Sequence, residues 1–311
     1  MVFQGIDHEI QRLYIHWDIT TKCNYSCNYC YAEKHYSAQD SWQKESQKKD
    51  IDLIIKTIEL STLPVFLGLL GGEPTTSQHY EYILEQIQEK ILPNSNRNRL
   101  YITTNLSKPL KYWEEHIKIP GAFLLASFHP EHNTTEKDMD IFIEKLLYLK
   151  DYFKVKVNIM LDPNFDDINF KWIDKIKEHN LHELVIIHPH IIYPNGSPFE
   201  NLNGIYKTSL EKYESIFHFA QAEFEYQGLL LKDIDVFSGN LNSFTKWDCY
   251  QNNYEISFDG MVSNICFDEE QSLKRRPLFF RNIKEVRARV CPKEFCNCDG
   301  LLKCKKENKI C

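Results

Sequence analysis

The run Thr20-Thr21-Lys22-Cys23-Asn24-Tyr25-Ser26-Cys27-Asn28-Tyr29-Cys30-Tyr31 closes a short apolar segment, Leu13–Thr20, and sets three thiols on the turn that follows it. Thiolates spaced three and four residues apart on a loop can reach three corners of an iron–sulfur cube, because such clusters are held by cysteine sulfur. No further cysteine occurs before Cys249. One iron is then left open for an outside ligand, as catalytic metal sites keep a free position. Zinc held by the three cysteines and His35 is the alternative, although zinc sites usually use paired Cys-x2–4-Cys spacings.

Outward from this loop, short apolar runs alternate with longer amphipathic ones. The candidate strands are Leu13–Thr20, Val65–Leu70, Leu100–Thr104, Ala122–Phe128, Val155–Leu161 and Leu184–His188. Helices are expected near 43–61, 78–91, 108–117, 135–152, 168–179 and 208–226. Six strand–helix alternations read as parallel βαβ units with right-handed crossovers. The strand runs are apolar rather than strictly alternating, as expected of strands covered on both faces. Tyr254–Phe258, Asp259-Gly260 and Met261–Ile265 read as a hairpin whose turn residues tolerate positive φ. The expected class is α/β: a partial (β/α)6 barrel over residues 1–228 and a small cysteine-rich extension over 229–311.

The composition fits a globular chain, with 42% hydrophobic and 26% charged residues. No stretch approaches the roughly 20 apolar residues of a membrane span, and no secretory signal opens the chain, so a cytoplasmic protein is expected. A net charge of −7 argues against a broad nucleic-acid surface. Ten cysteines in such a chain point to metal or redox chemistry rather than disulfides. They form two depots, three at residues 23–30 and seven from Cys249 to Cys311.

The first depot resembles the radical S-adenosylmethionine (SAM) superfamily, whose signature is Cys-x3-Cys-x-aromatic-Cys, with Tyr29 in the aromatic position. The resemblance covers roughly residues 12–200. It implies a [4Fe–4S] cluster whose open iron binds the amino and carboxylate groups of SAM. It further implies an electron from a donor such as flavodoxin or ferredoxin, and a 5′-deoxyadenosyl radical that removes hydrogen from the substrate. Cofactor and cluster carry that chemistry, and the protein supplies position and dryness.

Gly71-Gly72-Glu73-Pro74 follows the second strand and looks like the family's element that contacts the methionyl amino group. Paired glycines also let backbone approach a ligand closely, though the run is equally a plausible turn. Asn105 and Ser127, at the ends of the third and fourth strands, resemble positions that reach the SAM carboxylate or ribose. Asn158 and Met160 on the fifth strand are further candidates for ribose and adenine contacts. These residues cluster at strand carboxyl ends, where parallel βα folds place reactive loops. Asp18, His129, Asp162, His188, His190 and Tyr193 share that rim and could touch substrate; of these, His129, Asp18 and Tyr193 are the candidate catalytic residues.

The second depot comprises Cys249, Cys266, Cys291, Cys296, Cys298, Cys304 and Cys311. Its cysteine–hairpin–cysteine start resembles the SPASM or twitch extension, which implies one or two auxiliary [4Fe–4S] clusters. The spacing departs from that pattern: five residues, not four, separate Gly260 from Cys266, and of the later gaps only Cys298-x5-Cys304 matches. A zinc knuckle remains the alternative, and a thiol left unligated could donate hydrogen to a substrate radical. Three functions follow: modification of a peptide or protein side chain by crosslinking, epimerisation or oxidation; oxidation or rearrangement of a small metabolite such as an amino sugar; or a non-catalytic iron–sulfur or zinc module. About a dozen residues precede the first strand, too few for a peptide-leader recognition domain, which weighs against the peptide reading without removing it.

Overall fold

The computed structural model describes residues 1–30, 43–116, 119, 121–192, 211–232, 235–236, 239, 241–263, 283–291, 296 and 303–308. Its strands, in chain order, are β1 (Val2–Gly5), β2 (Leu13–Thr20), β3 (Val65–Gly71), β4 (Arg99–Thr104), β5 (Phe123–Phe128), β6 (Lys154–Leu161) and β7 (Ile186–Ile191). The later ones are β8 (Phe224–Tyr226), β9 (Leu229–Leu231), β10 (Asp248–Cys249), β11 (Asn253–Ile256), β12 (Val262–Ser263), β13 (Arg289–Val290) and β14 (Lys306–Glu307).

Strands β2 to β7 lie side by side in sequence order and pair in parallel, as the strand–helix alternation predicts. The helices Lys48–Glu59, Tyr80–Lys90, Leu110–His116, Glu136–Leu149 and Asp166–Glu178 separate them. Helix Glu136–Leu149 starts on a capping box: the Thr135 hydroxyl accepts from the Asp138 amide and the Asp138 carboxylate accepts from the Thr135 amide. That reciprocal pair satisfies two otherwise orphaned donors. β11 is an added parallel strand. It pairs with β2 through Asn253↔Tyr14 to Ile256↔Trp17, so the sheet has seven parallel strands with antiparallel β12 at its edge. The expected hairpin is present and its first strand lies in this sheet. Its turn closes through Gly260 at φ 81°, a left-handed conformation that glycine adopts without a steric penalty.

The strands alternate more strictly than their apolar look suggests. In β2, Leu13, Ile15, Trp17 and Ile19 are fully buried against the helices, whereas Tyr14, His16 and Asp18 are only partly covered on the opposite face. β6 repeats this, with Val155, Val157, Ile159 and Leu161 buried and Lys156, Asn158 and Met160 half-covered. The outer face of the barrel is thus a continuous hydrophobic core, and the inner face is a lumen of mixed polarity rather than a second packed layer. Gly68 gives that lumen its shape, because a Cβ there would stand 2.0 Å from the Tyr101 ring. The missing side chain lets Tyr101 cross the strand and place its hydroxyl 3.1 Å from His16 Nδ1.

The second sheet has the order β13-β10-β14-β1-β8-β9, joining the first strand of the chain to its last described ones. The two sheets therefore do not divide at residue 228. Of the helix expected over 208–226, Glu214–Phe217 is helical and Phe224–Tyr226 is a strand. Gln227 and Gly228 both have positive φ and make the two-residue turn between β8 and β9, which matches the twist of the strands they join.

The two sheets meet at Glu223. Its carboxylate takes ion pairs from Lys156 of the barrel and from Lys303, and lies 3.3 Å from His188 Nε2. Burial opposes the charge on Glu223, but His188, Lys303 and Lys156 outweigh it and hold the carboxyl well below its usual range. A carboxyl whose folded pKa lies below its unfolded value stabilises the fold above the unfolded pKa and loses that contribution as pH falls. The stability gap between wild type and Glu223→Gln in urea unfolding is expected to be full above the ordinary carboxyl value of 4.5 and to shrink below it. A gap that stays constant as the pH is lowered would refute this account of the joint.

Candidate active site

The loop after β2 is set by backbone contact with the loop after β3. The Gly72 amide donates to Thr20 O at 2.8 Å and the Glu73 amide to Lys22 O at 2.8 Å. A Cβ on Gly71 would meet Thr20 O at 1.9 Å, and one on Gly72 would meet Lys22 O at 2.2 Å. Gly71 also has φ 134°. Here the glycines serve close approach of two backbones, which places the turn beside the cysteine loop.

Glu73 is 1% exposed. Its Oε1 accepts from the Thr75 amide (3.2 Å), the Thr75 hydroxyl (2.6 Å) and the Thr104 hydroxyl (2.9 Å), while Oε2 accepts from the Asn105 amide (2.7 Å). Burial raises its pKa, and the four donors oppose that rise. The carboxylate is thus engaged inside the protein, tying the end of β4 to the glycine turn. Pro74 opens the short 3-10 turn Pro74–Thr76. Asn105 completes the link to the cysteine loop by donating from Nδ2 to Asn24 Oδ1 at 3.0 Å.

The three thiols lie on this anchored loop, Cys27 buried and Cys23 and Cys30 partly covered. The Tyr25 amide points at Cys23 Sγ, 3.4 Å away. Burial pushes the Cys23 thiol up to about 11 and Cys27 up to about 12. Such thiols are protonated on their own, and a bound metal deprotonates a coordinating thiol outright. Three sulfurs, an inward amide and a fixed backbone fit a cluster held at three corners.

A second loop, His129-Pro130-Glu131-His132-Asn133 after β5, clasps the first. Glu131 accepts from the Asn28 amide (3.0 Å) and from Asn28 Nδ2 (2.6 Å). His132 stacks on Tyr25 with centroids 4.0 Å apart. His129 Nδ1 lies 2.6 Å from the Tyr29 hydroxyl and 3.6 Å from Cys27 Sγ. Burial pulls His129 down to about 4. Ligand atoms of Cys27, Glu131 and His132 all lie within 4.8 Å of one another, a set able to hold a cation that needs no His35. The sequence reading missed Asn24, Glu131 and His132; a His-Pro-Glu-His run directly after a strand was the available signal.

The remaining predicted residues line the lumen or serve the scaffold. Ser127 and Asn158 are register partners, and Asn158 Oδ1 lies 3.2 Å from His188 Nδ1. Met160 pairs in register with His190, whose ring meets that of His188 edge-on at 4.1 Å. Asp18 faces the lumen near Glu255, whose carboxyl is pushed up by partial desolvation in the lumen and then by Asp18, although the residue keeps an exposed surface. Asp162 caps a turn, accepting from the Asn164 amide at 2.9 Å. Tyr193, His35, Cys266, Cys298 and Cys311 lie outside the described residues.

In the second sheet Cys249, Cys291, Cys296 and Cys304 are all buried in one group with Phe3, Phe224, Val236 and Phe244. Cys249 and Cys304 share a hydrogen bond that pulls Cys249 down to about 7 and pushes Cys304 up. Lys306, fully buried, donates to Cys304 O at 2.9 Å and lies 4.9 Å from the Phe244 ring centroid.

Among known families, the model described as the Radical SAM superfamily matches residues 17–176. GTP 3′,8-cyclase of Pasteurella multocida (strain Pm70) is 27% identical over 173 residues, which is 50% of this chain and 47% of that protein. The chain thus spans about half the length of the curated relative it matches. Among solved structures, native anSMEcpe with bound AdoMet and Kp18Cys peptide superposes with a TM-score of 0.56 at 14% identity, covering 88% of this chain and 79% of that one. SuiB of Streptococcus suis gives 0.54 at 14% identity, covering 86% and 63%. Among the described residues, no helix is long and apolar enough to cross a membrane.

Four donors converge on Glu73, so an amide in its place would turn its NH2 toward a backbone N–H, that of Thr75 or of Asn105, which cannot accept. Glu73→Gln is expected to cost about 1–3 kcal/mol in urea unfolding. Thr104→Val removes one of the four donors and also takes from the buried Leu106 amide its acceptor, Thr104 Oγ1 at 3.1 Å, so it too should lower stability. A Glu73→Gln protein as stable as wild type would defeat the anchoring role.

Proposed function

The chain belongs to the radical SAM superfamily, and from that membership we propose that it abstracts hydrogen from a peptide or protein side chain held in the barrel lumen, modifying it by crosslinking, epimerisation or oxidation. When bound, the cluster and SAM supply one electron and a carbon–sulfur bond whose cleavage delivers the hydrogen-abstracting radical. Cys23, Cys27 and Cys30 are the residues that would hold the cluster. The observation that carries this reading is the convergence of three thiols, the glycine turn and the strand ends of β4 and β5 at one mouth of the barrel.

The chain's own part is to orient and to exclude water. The cysteine loop is pinned by backbone hydrogen bonds on one side and by Glu131 on the other, so the sulfurs are held before any ligand arrives. Ser127, Asn158 and Met160 face the space next to that loop and are the candidates for SAM. Asp18, Glu255 and His190 line the wall beyond them and are candidates for the substrate. The structure of anSMEcpe with bound AdoMet and Kp18Cys peptide shares the fold, which supports a peptide here. The likeness to GTP 3′,8-cyclase favours a second reading, a small metabolite in the same lumen.

The four cysteines of the second sheet are assigned to one auxiliary [4Fe–4S] cluster. Support comes from their shared burial and from Lys306, a buried ammonium that complements the negative charge of a thiolate-ligated cluster. An electron donor such as flavodoxin or ferredoxin completes the proposed system.

Anaerobically reconstituted protein given dithionite and SAM should form 5′-deoxyadenosine, and Cys27→Ala should form none. Deuterium carried into deoxyadenosine from a labelled peptide, but not from labelled metabolites, would select the peptide reading. Protein that loads iron yet never cleaves SAM would sink the proposal. Separately, a Cys249→Ser/Cys304→Ser double variant should lose one cluster's iron and sulfide; unchanged iron would end the auxiliary-cluster assignment.

A further inference from the structure

Three polar residues stand in one row across the barrel wall. Ser127 of β5, Asn158 of β6 and His188 of β7 are successive register partners, and register partners in a parallel sheet share a face. His188 is buried, whereas Asn158 is half-covered on the lumen side. Asn158 Oδ1 lies 3.2 Å from His188 Nδ1. The other nitrogen of the same ring, Nε2, lies 3.3 Å from Glu223 Oε1.

Glu223 is fixed without help from that ring. Its amide donates to Leu231 O (2.9 Å) and its carbonyl accepts from the Ile6 amide (2.9 Å), so its backbone is tied to the second sheet. The bridge Ile187↔Ala220 holds the segment just before it against β7. Lys156 and Lys303 hold its carboxylate by ion pairs. The imidazole therefore spans from an anchored carboxylate to the Asn158 amide.

The partners decide how that amide is turned. An amide oxygen and a carboxylate both accept and neither donates, so each ring nitrogen presents an N–H to its partner. Turned over, the Asn158 amide would set its NH2 against the Nδ1–H, donor against donor. With Oδ1 held by His188, the NH2 points away from β7. Among the described residues Nδ2 has no hydrogen-bond partner, and its two protons are left for a group in the lumen.

We propose that His188 is a positioning residue: it holds the Asn158 oxygen against β7 so that the NH2 donates to an acceptor on SAM, a ribose oxygen or an adenine ring nitrogen, and Glu223 carries this orientation over from the second sheet. This role rests on the proposed function in one respect, that SAM lies beside Asn158.

Equilibrium dialysis of labelled SAM against the full chain, anaerobically reconstituted and left unreduced, reads binding without turnover. Asn158→Leu keeps the bulk, removes the donor and should weaken SAM binding about tenfold. His188→Leu frees the amide to turn over and should weaken binding by a smaller factor. The double variant should bind no worse than Asn158→Leu alone. His188→Asn, whose NH2 takes the place of Nδ1–H, should recover most of the affinity lost in His188→Leu. Iron is counted in every sample and affinity is expressed per loaded chain, so a merely structural loss lowers the number of sites and leaves their affinity unchanged.

Asn158→Leu with wild-type affinity overturns the proposal. So do single-variant losses that add in full, or a His188→Asn protein that binds no better than His188→Leu. If His188→Leu takes up no iron, Asn158→Leu and His188→Asn carry the decision. Wild type that binds SAM but never cleaves it overturns the proposed function, and these affinities still decide the role of His188. Wild type that takes up iron yet binds no SAM overturns both.

Discussion

Two backbone hydrogen bonds, Gly72 N–H to Thr20 O and Glu73 N–H to Lys22 O, fix the cysteine loop to the mouth of the barrel. They form only because neither glycine carries a side chain, since a Cβ on either would press into the opposing carbonyl. Everything at the site follows from that approach. Glu73 is drawn inside by it and gathers Thr75, Thr104 and Asn105, and Asn105 in turn reaches Asn24. A buried carboxylate satisfied by four donors is costly to disturb, because removing it leaves several buried donors unpaired at once. The loop is thus held by a network that does not depend on the thiols.

The division of labour between the faces of the sheet matters as much. Helices cover the outer face with a closed aliphatic and aromatic core, in which Phe128 stacks on Trp172 at 4.1 Å and both meet Phe142 edge-on. That core supplies the hydrophobic burial, so the inner face can carry His16, Asp18, Asn158, His188 and Glu255 without having to stabilise the fold by packing. The ion pairs at Glu223 then close the lumen against the second sheet. A polar chamber inside an apolar shell suits an enzyme that must hold a reactive species away from bulk water.

Much of this was legible in the sequence because it is local. Runs such as Val155–Leu161 with an amphipathic helix on each side specify parallel strands, and the three cysteines and the glycine pair sit directly after two of them. What was not legible depends on partners far apart in the chain. Asn253–Ile256 reads as half of a hairpin; nothing near it says that its other edge pairs with residues 14–17. Phe224–Tyr226 reads as the end of a helix until the turn at Gln227-Gly228 and the pairing with β1 are seen. The apolar look of the strands hid their alternation, since Phe66, Leu70, Phe123 and Leu125 face the lumen and count as apolar by type.

The clasp by residues 129–133 shows how such distant pairing alters the chemistry that a motif implies. Read as a string, His129 is a polar residue at a strand end, and a direct role on substrate is a fair expectation. In the fold its Nδ1 faces Tyr29 and Cys27, about a hundred residues earlier, and its neighbour Glu131 spends both carboxylate oxygens on Asn28. The His129 imidazole is packed against Tyr29 and Cys27, and burial pulls its pKa down from its ordinary value. The same burial strengthens both hydrogen bonds, because less water competes for their groups. His129 thereby joins the loop after β5 to the cysteine loop, across about a hundred residues of chain, beside the lumen walls formed by β2, β6, β7 and β11.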